Sequence, residues 1–593
     1  MAKKDLIITE IVEKATDYET NMSGFYDEIN EYSDLFLVKK PAKKANQFSR
    51  PRTPETFRAV NALGTMMFRM ITAQDPFFSA VSVDPANSEV DLYKIEKTMQ
   101  SQIKQSQYKR YLLKALMQVP LMGTSIVEET FQWVTINPFG RKLPITNFTP
   151  RSLLQVGFDR NTFDIDCSDW LYTTDRTTRY ALESMAANDA GGGVWFKGEI
   201  QDAVADKTAE TTIPQIINRL SDAGLNPDQQ SGHMELLMYH GKLNTMNDGI
   251  EYICGLVNRK YLVRFHENKD QSGRRNFRVA RWIEWELLSQ GIGLGKLLSG
   301  HQKAIDSNRQ KVETGITFNN LNMWLKDRGA GINAQAFKLI PLKIIEGDGT
   351  NGVKPLETSG VGIVQGLKLD EILKQEFRVA SGATDTLQAI MTDSGTLGEV
   401  SIAQNEAVRN ISVKAELIAE SFSRQHLEQT HINNYSCVGE KFVISGTNGP
   451  ITIYPKDLAV DVDFVITMST DKNFRPARAK DLAAGIQMLT SIRNDGISAI
   501  AKPVVLEWAR TLDIDPKLME AAYQEQEQKQ QQMMEQAAMR AMQKFALQQQ
   551  EQQLKADGKA QPVQEPGGTA SIPVSGPDVA GSINQLMPQE VGV

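Results

Sequence analysis

The residues best placed to do chemistry are the glycines of Gly291-Ile292-Gly293-Leu294-Gly295-Lys296. A loop that cradles phosphate needs a glycine, four residues, then Gly-Lys and a Ser or Thr to hold magnesium. Counting back from Gly295-Lys296, the first glycine position is Gln290, and the hydroxyl position is Leu297. A dinucleotide fingerprint needs a third glycine where Lys296 stands. The run therefore reads as a flexible joint between a strand and a helix rather than a nucleotide site.

Other groups fail similar tests. The histidines are His233, His240, His266, His301, His426 and His431, with no His-Glu-x-x-His among them. His426 and His431 are five residues apart, off one helical face, so the histidines read as structural. Asp461-x-Asp463 pairs two carboxylates on an alternating strand, and the plain expectation is a solvated face. Asp348 to Gly352 opens like a calcium loop but lacks the bidentate Glu such a loop ends on. Cys167, Cys254 and Cys437 lie far apart, and all three read as small buried apolar residues. No Gly-x-Ser-x-Gly elbow occurs. The expectation is a protein that is not an enzyme, with no catalytic residue, cofactor or metal.

The elements around these residues are α+β. Leu6 to Lys40 reads as helical, then Pro41 to Pro54 as a basic loop. Pro54 to Thr72 predicts a helix with Phe57, Val60, Gly64, Met67 and Ile71 on one side. Asp91 to Val119 predicts one long amphipathic helix broken by Pro120, followed by a strand from Thr124. Strand patterns recur to Thr178, over Glu235 to Arg264 and over Phe277 to Trp285, and Thr212 to Ala223 reads as a helix. Helices follow at Ile292–Glu313 and Val361–Ala380. Glu399 to Tyr435 contains neither Pro nor Gly, which predicts an unbroken helix of roughly 55 Å. Phe442 to Met468 gives two or three strands, Arg475 to Gln553 is helical and Gln-rich at its end, and Gly558 to Val593 has a disordered composition.

Length and charge narrow the function. The chain has 593 residues, 41% hydrophobic and 23% charged, enough to build several cores. No window approaches the ~18 apolar residues of a membrane helix, and no secretory signal opens the chain, so the expectation is a cytoplasmic protein without membrane contact. Net charge is −7 and the pI near 5.7, against the basic surplus of a tight nucleic-acid binder. A surface that DNA slides past remains compatible with that balance.

The order of elements resembles that of phage portal proteins, the head-to-tail connectors of short-tailed phages. Four stretches carry the resemblance: Tyr108 to Phe131 (YKRYLLKALMQVPLMGTSIVEETF), Phe277 to Asn308 (FRVARWIEWELLSQGIGLGKLLSGHQKAIDSN), Gly352-Val353-Lys354-Pro355-Leu356 with the helix after it, and Thr396-Leu397-Gly398-Glu399-Val400. At the joint the family carries an acidic-aromatic pair and an Arg between its glycines, where this chain has Ser289-Gln290-Gly291-Ile292-Gly293. The resemblance implies a portal-type fold assembled as a ring of about twelve copies. It implies a wing at 1–286, a first stem helix at 287–314, a clip at 315–360 and a second stem helix at 361–380. A tunnel loop at 381–397, a long wing helix with strands at 398–470, a helical crown at 471–557 and a disordered tail at 558–593 complete the plan. The implied partners are other copies of the chain, the major capsid protein, the terminase large subunit and tail adaptor proteins. Double-stranded DNA would pass through without sequence-specific contact. The implied location is the portal vertex of a virion, after assembly in the host cytoplasm.

Two residue sets would face the channel on this plan. On the first stem helix, Lys296, Lys303, Arg309 and Lys311 would locally offset an acidic sleeve; the alternative is ordinary solvated helix charge. In the tunnel loop, Thr384, Asp385, Leu387, Ile390, Met391, Asp393 and Thr396 would form an apolar and acidic collar without Lys or Arg to hold phosphate. The alternative there is an exposed connector. A filament or scaffold protein built on the long helix is the competing function class.

Overall fold

The computed structural model describes residues 2–40, 49–83, 89–136, 140–159, 162, 165–187, 194–206, 233–268, 275–286, 288–320, 323–326, 353–356, 361–383, 411–446 and 449–468, with short helical pieces at 483–484, 532–533, 535–544 and 546–548. The described chain mixes helices and strands as the α+β pattern requires.

The N-terminal helical stretch is two helices, α1 (Ala2–Asn21) and α2 (Ser23–Phe36). α3 (Glu55–Ile71) turns Ala59, Val60, Leu63, Met67, Met70 and Ile71 inward. Phe57, expected on that apolar side, is exposed and packs its ring 5.3 Å from Phe36. β1 (Phe78–Ser82) follows. The predicted long helix is also two: α4 (Glu89–Gln105) and α5 (Tyr108–Met122), separated where Gln107 adopts φ +54°. Pro120 does not end α5, which runs on to Met122 and stops at Gly123, φ +86°. A proline in the last turn costs one N–H, whereas the left-handed glycine redirects the backbone.

Two sheets carry the middle of the chain. β2 (Thr124–Ile136) lies between β3 (Arg141–Arg151) and β9 (Phe277–Arg281), antiparallel to both. The five-stranded sheet follows chain order: β4 (Val156–Phe158), β5 (Trp170–Thr178), β6 (His233–Lys242), β7 (Glu251–Val257) and β8 (Tyr261–Glu267). Both its faces are covered. Ile7, Ile11, Ala15 and Tyr18 of α1 pack with Leu237, Tyr239 and Cys254. Opposite, α6 (Arg179–Ala187) and α7 (Lys197–Ala205) pack on Met234, Leu236, Met238 and Ile253. Double coverage is why β6 is buried along nearly its whole length, with Leu236 to Tyr239 as a continuous apolar run. Arg259 fastens this unit to α1, meeting Glu19 at 2.6 Å and Glu235 at 2.9 Å.

α8 (Leu294–Asn320), β10 (Met323–Lys326), β11 (Val353–Leu356) and α9 (Val361–Ser381) come next. Helical residues 411–437 form α10, in which Glu420–Arg424 is a π turn. β12 (Phe442–Gly446) pairs with β13 (Gly449–Ile453), and β14 (Val462–Ile466) returns to pair with β1 near the start of the chain. The largest core joins α3, α4 and α5 to β1, β14, α10 and the root of α8. Of the cysteines only Cys254 is buried, and burial pushes its thiol up to about 12; Cys167 and Cys437 are exposed, so the expectation for those two fails.

Candidate channel-facing helix pair

The glycine run singled out in the sequence is the root of α8, and it is packed rather than flexible. The Gly123 carbonyl accepts from Trp282 N–H at 2.8 Å, and Gly291 N–H donates to Thr124 Oγ1 at 2.8 Å. A Cβ on Gly123 would collide with the Gly291 carbonyl, and one on Gly293 with the Gly123 amide. Two backbones cross here at a distance only glycine permits. The run is small because α5, β2 and α8 meet there, not because a ligand approaches.

From this root α8 and α9 run antiparallel. Asn308 Nδ2 donates to the Gly366 carbonyl at 2.8 Å, a Cβ on Gly366 would meet Val312, and one on Gly315 would meet Ile363. Asp370 of α9 is buried between Lys374 at 2.7 Å and Arg309 of α8 at 3.7 Å. β10 and β11 pair antiparallel beyond α8, Met323 opposite Leu356, and close the hairpin. Its other side is pinned to the N-terminal region. The Gln302 amide donates to Thr53 Oγ1 at 2.7 Å and accepts from Thr56, Asp306 holds Arg52 at 3.1 Å, and Arg378 approaches the buried Glu55 at 3.9 Å.

Three of the four stem cations have partners in the chain. Lys296 lies 3.6 Å from Glu28 and Lys303 2.7 Å from Glu31, both on α2. Arg309 divides between Glu313 at 3.5 Å and Asp370. Lys311 is exposed with no ion-pair partner among the described residues. Glu28 and Glu31 stand one helical turn apart, a spacing visible in the sequence but attached there to no partner. Thr384, Asp385, Leu387, Ile390, Met391, Asp393 and Thr396 lie outside the described residues, as does Asp348 to Gly352. The described chain stops at the buried Ala383, whose amide donates to Ser381 Oγ at 3.2 Å.

Asp463 forms part of a surface ion network, 3.4 Å from Arg424. No group of three or more His, Cys, Asp or Glu among the described residues is arranged to hold a metal ion. One polar cluster escaped the sequence reading. His426 Nδ1 donates to Glu129 at 2.6 Å, and Arg278 meets the same carboxylate at 3.1 Å and Gln429 at 2.8 Å. Tyr108 stacks on the imidazole with ring centres 4.7 Å apart. Glu129, His426 and Arg278 are all buried, and they lock β2 and β9 to α10. Cross-strand alternation and helical spacing put the three side chains inside, but neither announces that they meet. His431 is also structural, donating to the Val460 carbonyl at 2.8 Å, and burial holds its pKa down.

No protein-family model matches the chain, and no curated protein matches it. No helix among the described residues is long and apolar enough to cross a membrane.

Proposed function

We propose that the chain is the subunit of a phage portal: a non-enzymatic ring of about twelve copies that conducts double-stranded DNA at one capsid vertex. The observation that carries this reading is the surface of α9. Val361, Val364, Leu367, Leu369, Ile372 and Val379 are all exposed, at 42–71% of their full area. Burying one such side chain contributes ~1.5–3 kcal/mol, so a helix carrying six is a standing demand for a neighbour. The hairpin geometry adds support: two antiparallel helices closed by a strand pair, rooted in a mixed body, match a stem and clip in order and spacing. α8 and α9 would line the channel, with Lys311 and the partly matched Lys296, Lys303 and Arg309 on the first stem helix. The loop 381–397 would enter the channel, and 398–470 would return to the wing. Capsid protein, terminase and tail adaptors would dock on the ring's outside and ends.

Class-averaged electron micrographs of the purified full chain test the reading. Closed rings of about a dozen subunits are expected. Only the 66.1 kDa monomer across salt and concentration, or open filaments, overturns it.

A further inference from the structure

We propose that the cleft between the end of α4 and the start of α5 is a docking site for an acidic peptide segment of a partner protein, one that carries an apolar residue among its carboxylates. The cleft lies at the opposite end of α5 from the root of α8 and does not depend on the ring reading. Its geometry starts with Gln107. The left-handed backbone there, φ +54°, turns the chain between α4 and α5 and brings Lys104 of one helix and Lys109 of the other to a single carboxylate. That carboxylate is Asp75, in the connection between α3 and β1, and each ammonium group lies 3.8 Å from it. Arg110 stands beside Lys109 and donates to the Gln107 side-chain oxygen at 3.3 Å, with no ion-pair partner among the described residues. The cleft that these cations border has a volume of about 300 Å³ and an apolar floor of Pro76, Phe77, Phe78 and Ile103.

Charge says what the cleft takes. Among the described residues that line it, Asp75 alone is acidic and faces three cations, in a chain whose net charge is −7. Lysine pairs that fasten the fold are tighter: Lys374 meets Asp370 at 2.7 Å, Lys303 meets Glu31 at 2.7 Å and Lys94 meets Asp457 at 2.9 Å. The two contacts of Asp75 are long, and the Asp75, Lys104 and Lys109 side chains are 52%, 60% and 40% exposed. Open pairs of that kind add little to stability. Lys109 and Arg110 also sit in the first turn of α5, where positive charge opposes the helix dipole, so they do not serve the helix. A carboxylate of the chain itself already bridges the two ammonium groups, loosely, and one better placed would displace it. Shape then separates peptide from nucleic acid. A duplex lays phosphates along a convex rod and has nothing to seat on a concave apolar floor. A peptide seats one aliphatic side chain in the cleft while the carboxylates on either side of it meet the rim. Lys114, exposed one turn beyond Arg110, continues that rim along α5.

Fluorescence polarisation of the full chain with a labelled Glu-Asp-Leu-Asp-Glu peptide tests the site. Saturable binding is expected, weakened about tenfold by Lys109→Glu with Arg110→Glu, and about tenfold when the peptide's leucine is replaced by glycine. Lys104→Gln, a milder change, should weaken it about threefold, so the test survives a double variant that does not fold. Asp75→Asn removes the internal competitor and should strengthen binding about threefold. Asp169→Asn, at an exposed aspartate before β5, should leave binding unchanged. No saturable binding overturns the proposal, as does binding indifferent to the three cations in variants with unchanged circular dichroism. Equal effects of the two aspartate changes overturn it too, because they mark a general charge attraction. A labelled DNA duplex held more tightly than the peptide through the same cations overturns it in favour of a nucleic-acid contact.

Discussion

α3 and α9 are both amphipathic helices with similar numbers of large apolar residues, yet they use them in opposite ways. α3 buries Val60, Leu63, Met67, Met70 and Ile71 and leaves Phe57 outside. α9 buries Asp370, Phe377 and Ser381 and leaves six large apolar side chains in solvent. An amphipathic helix specifies two surfaces, and only the surroundings decide which becomes the inside. For α3 the chain itself supplies the cover, through α5 and α8. For α9 the chain supplies α8 along one side, with a polar clamp at Asp370 and an aromatic anchor at Phe377, and leaves the other side uncovered.

The largest effect should come from that anchor. Phe377→Ala removes a ring 1% exposed and should cost about 3–5 kcal/mol in denaturant unfolding, showing that the inner side of α9 is a true core contact. Met67→Ala in α3 should cost about 2–5 kcal/mol by the same measurement. A smaller loss for Met67 than for any exposed α9 residue would break the contrast between the helices.

Acid should separate both helices from the five-stranded sheet. His240 on β6 is buried edge-on to Phe277, and burial, with Arg264 and Arg275 nearby, holds its pKa down to about 3 from the ordinary 6.5. The native state keeps this ring neutral where the unfolded chain takes a proton. Its contribution to stability is therefore intact above about 6.5 and declines as pH falls toward 3. Melting temperature against pH should fall through that window, and His240→Phe should flatten the fall. An unchanged slope would place the acid sensitivity elsewhere.

The smallest effect on the chain's own stability, within about 0.5 kcal/mol, is expected for Ile372→Ser, because its side chain is already in water. The same change should abolish assembly seen by mass photometry. Loss of monomer stability with assembly intact would show that Ile372 packs within the chain.

Much of the fold was legible before any coordinates. Strand alternation and turn residues placed β2 and β6 to β9 within a few residues and marked the stretches 134–178 and 442–468 as strand-bearing without bounding the strands in them, and proline-free apolar spacing placed α8, α9 and the described part of α10. What failed was local. Gln107 ends α4 in a left-handed turn, a conformation its side chain does not advertise, so two helices read as one. The glycine run at 291–295 signalled a special backbone, but its cause is a crossing with Gly123, far away in sequence. The stem cations were visible, whereas their pairing with Glu28 and Glu31 depends on α2 lying beside α8. The Glu129–His426–Arg278 cluster was invisible because burial of charge is decided by partners on three separate elements.

The π turn at Glu420–Arg424 sets the phase of α10. Leading into it, buried residues Ile411, Ala415 and Ile418 step by four and three, in time with an α-helix, and Phe422 is buried within the turn; beyond it, His426, Thr430 and Asn434 step by four. The wider turn works like an inserted beat, letting an apolar first half and a polar second half address the same core. Because the π turn takes up one extra residue within a single wider turn, deleting one residue within 420–424 would restore regular winding and leave the two halves facing the same core. Deleting a residue elsewhere in α10, where no wider turn absorbs the change, would instead rotate one half by about 100° against the other. The wider turn is thus the one place in this helix where a change of length is tolerated.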